Sequence, residues 1–272
     1  MKKNFGLLIL ITIPFISFTQ KRYYTPSAYQ ISAHDKKGQL SLSVARGNGY
    51  DVNVSYSITN YLCILLAYGE NKRYEQRSTI LDVYGIQNNN SYKTARIGYF
   101  KNIKKPWLSK IETYLGYSHA KIDNYWSFLE FDPAYAEYAK ADYTSVFIGT
   151  DAIFESKRFE LSFSGRFNSY KYSSFIFYEM HPYTYYTTSS VEGLKGINFD
   201  LISGSGIKYK GFRLLIQTGI SVPISSPYAS QTDTYPSNMG TSAVVHKEKF
   251  QLGQFIFRLG LQFNSGYKKG NK

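Results

Sequence analysis

The stretch Arg158-Phe-Glu-Leu-Ser-Phe-Ser-Gly-Arg-Phe-Asn168 alternates apolar and polar side chains over most of its length. Successive side chains along a β-strand point to opposite faces, so its phenylalanines would share an apolar face, and Glu160 and Arg166 a charged one. Residues 212–222 and 255–263 repeat this pattern. Strands of about 10–13 residues approach the length that crosses a bilayer at a tilt, whereas strands of soluble sandwiches are usually about 5–6 residues long. The pattern therefore predicts strands that span a membrane.

Further segments of this kind can be placed along the chain, and their connections mostly alternate between short turns and long polar loops. That alternation is typical of outer-membrane barrels, which have short periplasmic turns and longer extracellular loops. We predict an all-β chain: a closed antiparallel transmembrane up-and-down β-barrel of about ten strands, with eight or twelve as alternatives. The predicted strands are about 39–46, 50–58, 61–68, 91–101, 110–121, 142–154, 158–168, 196–208, 212–222 and 248–263. Residues 80–84 are a candidate extra strand, and the loop 170–195 is a candidate hairpin above the membrane.

The N-terminus has the features of a secretory signal peptide. Lys2 and Lys3 precede an apolar run of about a dozen residues, and the small residues Ser17 and Thr19 stand before the predicted cleavage site. The run is shorter than the ~20 residues of a spanning helix, and Pro14 interrupts it. We predict a signal peptide over 1–19, a periplasmic lead-in over 20–38, the outer-membrane barrel over 39–264 and a basic periplasmic tail over 265–272, with both termini periplasmic.

Aromatic and charged residues fit an outer membrane of a Gram-negative bacterium. Tyrosine provides 27 residues against 2 tryptophans, and its ring and hydroxyl suit the membrane–water interface. The net charge is +13, of which Lys2 and Lys3 belong to the predicted signal peptide. The basic residues are scattered without a nucleic-acid-binding motif, so we expect no nucleic-acid partner. Most of the basic residues, Lys110 among them, are predicted to lie at the periplasmic rim, together with the acid Glu155. The predicted partners are outer-membrane lipid and lipopolysaccharide.

Residues suited to catalysis or metal binding do not form a recognisable group in the sequence. Cys63 is the one cysteine, and it lies within an apolar strand. The histidines His34, His119, His181 and His246 do not have metal-ligand spacing, and no Gly-x-Ser-x-Gly motif is present. The predicted strand number resembles that of the omptin outer-membrane proteases, but their paired loop carboxylates with an Asp–His dyad are not found in this sequence. We predict no catalytic residue, no metal and no cofactor.

Charged residues of both signs fall on the polar faces of the predicted strands and would point into the lumen. They are Asp51, Arg96, Glu112, Asp151, Glu160, Arg166, Asp200, Arg213 and Arg258. A ten-stranded barrel is only slightly wider than the eight-stranded kind that side chains can fill. We therefore expect Arg–carboxylate pairs that fill the lumen. The alternative is a narrow pore lined by a ring of charge.

The most unusual local composition is the tyrosine-rich stretch 169–188. Tyrosine with serine and threonine is typical of adaptable binding surfaces. It predicts a candidate surface-binding loop whose tyrosines are Tyr170, Tyr172, Tyr178, Tyr183, Tyr185 and Tyr186. The alternative is a hairpin that rises above the membrane, with tyrosine as its cross-strand and interface residues.

The start of the predicted mature chain resembles a family of poorly characterised Bacteroidetes outer-membrane β-barrel proteins. The segments that carry the resemblance are Tyr23-Tyr24-Thr25-Pro26, Lys36-Lys37-Gly38-Gln39-Leu40, Tyr50-Asp51-Val52 and Tyr56-Ser57-Ile58-Thr59-Asn60-Tyr61-Leu62. Many of these relatives begin as lipoproteins, with a cysteine just before the lead-in. Gln20-Lys21-Arg22 stands there instead, which argues against a lipid anchor. The resemblance implies an envelope location and a barrel fold, and it supplies no catalytic residues.

These observations favour a non-enzymatic, monomeric outer-membrane barrel with a lumen filled by side chains. It would act in surface interaction or envelope structure through its long extracellular loops, whose ligand the sequence does not name. The alternatives are a narrow channel for small solutes and an outer-membrane hydrolase.

Overall fold

The structure is a computed structural model that describes residues 34–47, 49–78, 82–105, 108–130, 134–181, 185–190, 194–226, 228–237, 240–249 and 254–265. The predicted signal peptide, residues 20–33 of the predicted lead-in and residues 266–272 of the predicted tail lie outside these ranges. Among the described residues, no helix is long and apolar enough to cross a membrane.

The described residues form strands joined by short connections. The strands are β1 Leu40–Gly47, β2 Gly49–Ser57, β3 Leu62–Ser78, β4 Asp82–Lys105, β5 Leu108–Glu130, β6 Ala134–Glu155, β7 Phe159–His181, β8 Tyr185–Ser190, β9 Lys195–Tyr209, β10 Phe212–Ser225, β11 Tyr228–Ser237, β12 Gly240–Lys249 and β13 Gln254–Asn264. Between β9 and β10 the chain turns within two residues, Lys210 and Gly211, at φ values of 45° and 88°. Two-residue hairpin turns with positive φ at both positions match the twist of the flanking strands.

Ten of these strands close into an antiparallel barrel. The order around the barrel is β1 to β7 in sequence, then β9, β10 and β13, which returns to β1. β7 and β9 form the strand pair that closes the barrel. Their pairing runs from Phe159 opposite Ile207 to Lys171 opposite Lys195. The predicted closed ten-stranded barrel is therefore confirmed. The end with the short turns and residues 34–39 is called the base below, and the opposite end the top.

At the top, the predicted ends of β3 to β7 are wrong, whereas those of β1, β2 and β9 lie one residue from the observed ends. The sequence predicts polar loops over 69–90 and 122–141, but the described residues of these ranges belong to paired strands, β3 with β4 and β5 with β6. The candidate strand 80–84 contributes its last residues to the start of β4. Beyond the apolar surface a strand no longer needs lipid-facing side chains, so the alternation that reveals it in the sequence fades.

A three-stranded extension continues the sheet beyond the closed barrel at the top. The first half of β7 pairs with β9, whereas residues 176–181 of the same strand pair with β8. β8 pairs with β11, and β11 forms a hairpin with β12. The predicted loop 170–195 is thus largely a β7–β8 hairpin, the alternative weighed from its sequence. The predicted loop 223–247 contains most of the β11–β12 hairpin.

Alternating side chains divide the barrel into an apolar outer surface and a polar interior. Phe163, Ile216 and Leu259 point outward and are 47%, 44% and 46% exposed. Arg166 and Gln217 point inward and are 1% and 5% exposed. The two faces have the assignment that the alternation predicts.

We expect an arginine at mid-membrane on the outer face to destabilise the barrel. A charge on the lipid-facing surface at mid-membrane costs about 2–4 kcal/mol, so Ile216→Arg should lower the free energy of unfolding by about that amount. Ile224→Arg is the matched control, because Ile224 is exposed near the upper end of the same strand, where the cost falls to about 0–1 kcal/mol. Denaturant unfolding of protein folded into lipid vesicles measures both variants. Equal losses in the two variants would mean that Ile216 does not face the middle of the bilayer.

Candidate functional site

The lumen brings together the charged residues that the sequence places on the inner faces of the strands. All nine are buried, with no more than 8% of any residue exposed. They are Asp51, Arg96, Glu112, Asp151, Glu160, Arg166, Asp200, Arg213 and Arg258. Their functional role as a group stays a prediction, but their positions define the most highly charged site in the described part of the chain.

An ion pair crosses the seam where the barrel closes. Arg166 on β7 and Asp200 on β9 are direct cross-strand partners. Nη2 of Arg166 lies 2.7 Å from Oδ2 of Asp200, and its Nε donates to the same oxygen at 2.8 Å. The guanidinium also lies 5.1 Å from the ring centroid of Phe147. Buried charges require such partners, because an isolated charge in a dry interior is very costly.

Two further pairs hold arginines to carboxylates within the lumen. Nε of Arg258 is 3.1 Å from Oδ2 of Asp51, whose Oδ1 accepts a hydrogen bond from the Tyr92 hydroxyl. Nη2 of Arg96 is 3.4 Å from Oε1 of Glu112. The tyrosine hydroxyl gives the Asp51 carboxylate a partner on each oxygen, which lowers the cost of burying it.

Near the base the charges form a larger network. Arg213 places Nη1 3.0 Å from Oε2 of Glu160 and Nη2 3.1 Å from Oε1 of Glu155. Nζ of Lys110 is 3.0 Å from the same Glu155 oxygen. Lys110 and Glu155 were assigned to the rim, yet Lys110 is only 4% exposed. The signal that would have found it is its spacing of two from the inward-facing Glu112.

Asp151 is a further buried acid of the lumen. Its Oδ1 accepts a hydrogen bond of 2.8 Å from the Ser164 hydroxyl. Glycines beside it let rings fill the lumen, since a Cβ at Gly149 would overlap the ring of Tyr114, and one at Gly116 the ring of Phe147. The middle of the barrel is thus packed with both polar groups and aromatic rings.

Towards the top, an aromatic plug replaces the charges. It comprises Leu65, Ala67, Tyr92, Ala120, Ile122, Ala139, Ala141, Tyr143, Tyr170, Tyr172, Phe175, Phe177 and Leu194. The ring centroids of Tyr143 and Tyr172 are 5.0 Å apart, and those of Tyr170 and Tyr172 are 5.8 Å apart. Offset and edge-on arrangements at such distances are the favourable geometries for aromatic pairs.

The predicted surface-binding tyrosines therefore have different positions. Tyr170 and Tyr172 are each 1% exposed and lie inside the barrel, so a ligand at the outer surface cannot reach them. The physical reason is that β7 keeps its alternation as far as Tyr172, which turns both rings inward. Tyr178 is half-buried on the same strand. Tyr183 and the side chains of Tyr185 and Tyr186 lie outside the described part of the structure.

A small cavity lies in the lumen beside Arg258. The cavity there holds about 20 Å³ and is lined by residues that include Ser43, Asn53 and Gln217. A cavity of this size accommodates about one water molecule. A wider opening of about 300 Å³ lies at the base, lined in part by Lys36 and Lys208.

Residues 34–39 close part of that base. Nε2 of His34 is 3.0 Å from the inward-facing Ser55 hydroxyl, and only 1% of His34 is exposed. Oδ1 of Asp35 lies 2.5 Å from Nζ of Lys110. The Gly38 amide donates to the Ser57 carbonyl at 2.8 Å. Burial, and next the nearby Arg96 charge, lower the pKa of His34 from 6.5 to about 4.

A polar group on the outer wall consists of His119, Asp142 and Ser173. Nε2 of His119 is 2.9 Å from Oδ1 of Asp142, and the Ser173 hydroxyl donates to the same oxygen at 3.1 Å. Ser173 is the extra residue of an irregularity in the β6–β7 pairing, where Asp142 is opposite Ser174 and Tyr143 opposite Tyr172. Among the described residues, no group of three or more His, Cys, Asp or Glu side chains is arranged to hold a metal ion.

Comparison with solved structures identifies the same architecture. The chain superposes on the outer membrane protease OmpT from Escherichia coli with a TM-score of 0.52 at 11% sequence identity, covering 84% of this chain and 94% of that one. This chain has the fold of an outer-membrane β-barrel. It is also similar to the translocator domain of the autotransporter NalP from Neisseria meningitidis, with a TM-score of 0.41, 11% identity and coverage of 85% and 90%. No family model and no curated protein matches the sequence.

We expect that removing one partner of the Arg166–Asp200 ion pair destabilises the barrel more than removing both. Arg166→Met leaves the Asp200 carboxylate buried without its guanidinium, so the free energy of unfolding should fall by about 3–5 kcal/mol. Adding Asp200→Asn in the same chain should recover much of that loss. Lys72→Met is the control, because it removes an exposed partner of Glu70 and should change stability little. Denaturant unfolding in vesicles distinguishes them, and equal effects of Arg166→Met and Lys72→Met would contradict the prediction.

Acidification should release residues 34–39 from the base. His34 is neutral when docked and resists protonation down to about pH 4, whereas the undocked side chain takes up a proton below its ordinary pKa of 6.5. The docked state therefore loses up to about 3 kcal/mol as the pH falls through this window. Hydrogen exchange of a peptide covering 34–39, corrected for the intrinsic rate at each pH, measures the release. The His34→Gln variant has no titrating side chain at this position, so its exchange should not respond to pH in this window. A response equal to that of the native chain would show that protonation of His34 does not cause the release.

Proposed function

We propose that the protein is an integral outer-membrane β-barrel with a closed lumen, which acts in surface interaction or envelope structure and not as an enzyme. The barrel would serve as the anchor and the extension at the top as the contact surface. The observation that carries the proposal is the filling of the lumen by buried ion pairs and by the aromatic plug.

Placement in the outer membrane is supported by the surface of the barrel. Apolar side chains are exposed all around it, among them Val54, Leu66, Ile148, Leu201 and Leu261. A soluble protein rarely exposes such a continuous apolar surface, whereas lipid covers it in a membrane. The fold itself also favours this location, since closure leaves the barrel no open edge. In this placement the base is periplasmic and the top extracellular.

A surface role is supported by the extension formed by β8, β11 and β12. It lies beyond the closed barrel and adds no strand to it. β12 exposes Val244 and Val245 on its two faces, 52% and 66% respectively. Exposed strands with apolar side chains are ready partners for other chains.

The polar group on the outer wall does not favour hydrolysis. A serine nucleophile needs a base that accepts its proton, with a third group orienting that base. Here the Ser173 hydroxyl and His119 both contact Asp142, so the histidine is not positioned to take the serine proton through the bonds present. The arrangement is that of a carboxylate satisfied by two neighbours.

A narrow channel remains the second candidate, and planar-bilayer conductance separates it from the proposal. We expect no steps of stable size, because ion pairs and rings occupy the lumen. A variant without residues 228–249 should insert and stay closed, since the β7–β9 seam does not involve them. Reproducible steps whose size shifts in Arg166→Ala or Arg258→Ala would overturn the closed-lumen proposal in favour of a channel.

A further inference from the structure

A groove on the outer wall differs from the rest of the apolar surface. It is a shallow, open groove over β2 to β5 with a volume of about 580 Å³. Two rows of direct cross-strand neighbours form it: Val54, Leu66, Ala95 and Tyr117 in the lower row, and Val52, Tyr68, Lys93 and His119 in the upper row. The lower row is apolar, and the upper row ends in a cation and an imidazole.

The floor of the groove is set by Ala95. This small side chain stands between Leu66 and Tyr117, which are 60% and 52% exposed and rise on either side of it. A slot with an apolar floor and walls on a membrane-facing surface has the shape and chemistry for a hydrocarbon chain, because burying methylene groups against such walls is favourable.

The upper end of the groove lies where the wall becomes polar. The Tyr68 hydroxyl donates to Oε2 of Glu70 at 2.9 Å, and Glu70 pairs with Lys72. Lys93 is exposed, and no ion pair with it is found among the described residues. It is directly opposite His119, so the two Cβ atoms are about 4.5–5.5 Å apart. Asp142 holds the imidazole at this position.

We propose that this groove binds a membrane lipid with a phosphate-bearing headgroup. The phosphate contacts Lys93 beside His119, and an acyl chain lies over Ala95. Charge complementarity identifies the headgroup, since a lysine at the interface extends its ammonium towards phosphate while its stem stays in the apolar zone. The inference rests on the membrane placement proposed above and adds a specific lipid site to it.

Native mass spectrometry of the folded barrel in a neutral detergent tests the site, with phosphatidic acid as the probe. Diacylglycerol with the same chains lacks the phosphate, and glycerol phosphate lacks the chains. We expect phosphatidic acid to bind about tenfold more tightly than diacylglycerol and to resist displacement by glycerol phosphate. Lys93→Gln should abolish most of that preference, and Ala95→Leu should weaken binding of both lipids by filling the slot.

Matched variants make the outcome specific. Lys171→Gln removes an exposed lysine from β7, and Ala152→Leu enlarges an outward-facing alanine on β6, so neither should affect binding. Equal losses of phosphatidic acid binding in Lys93→Gln and Lys171→Gln would show that the lipid is attracted to any exposed lysine, and would overturn the site. Equal affinity for both lipids would overturn the phosphate contact, and displacement by glycerol phosphate would overturn the acyl contact. Conductance is independent of these results, so failure here leaves the closed-lumen proposal standing.

Discussion

Closure of the backbone hydrogen-bond network is the constraint on which the other features of the molecule depend. Within lipid, each backbone N–H and C=O must find its partner inside the protein, so a sheet can span only if its edges meet. In this chain the edges meet where β9 pairs with the first half of β7. The same strand then continues upward and pairs with β8, so one strand both completes the barrel and begins the extension.

Closure with ten strands in turn determines what the interior must contain. Half of the side chains of every strand point into a space only slightly wider than one that side chains can fill. The lower and middle lumen meets this with arginine–carboxylate pairs, each acid close to a cation or a hydroxyl. The upper lumen uses aromatic rings, which bury area without the desolvation cost of charge. Charged pairs and rings thus share the lower and middle lumen, and rings predominate towards the top.

Much of this interior could be predicted from the sequence, because alternation links residues two apart to the same face. Arg166 and Asp200 could therefore be placed inside, although their pairing across the seam needed the strand order. The upper ends of β3 and β4 could not be predicted, since residues 69–79 and 87–90 are mostly polar on both faces and lose the signal. Tyr170 and Tyr172 were misplaced for a similar reason: their composition resembles a binding loop, while their alternation continues that of β7.

Strict alternation also fails at one position inside β7, and the failure shapes both surfaces of the wall. Tyr172 and Phe175 both point inward although they are three residues apart, which regular alternation forbids. Ser173 is the additional residue that makes this possible, because it shifts the register against β6 between Asp142 and Tyr143. Inside the barrel, the shift lets the phenylalanine join the aromatic plug. Outside, it brings the serine hydroxyl to the Asp142 carboxylate, which holds His119 at the upper end of the groove. A single inserted residue thus couples the packing of the lumen to the polar boundary of the outer wall.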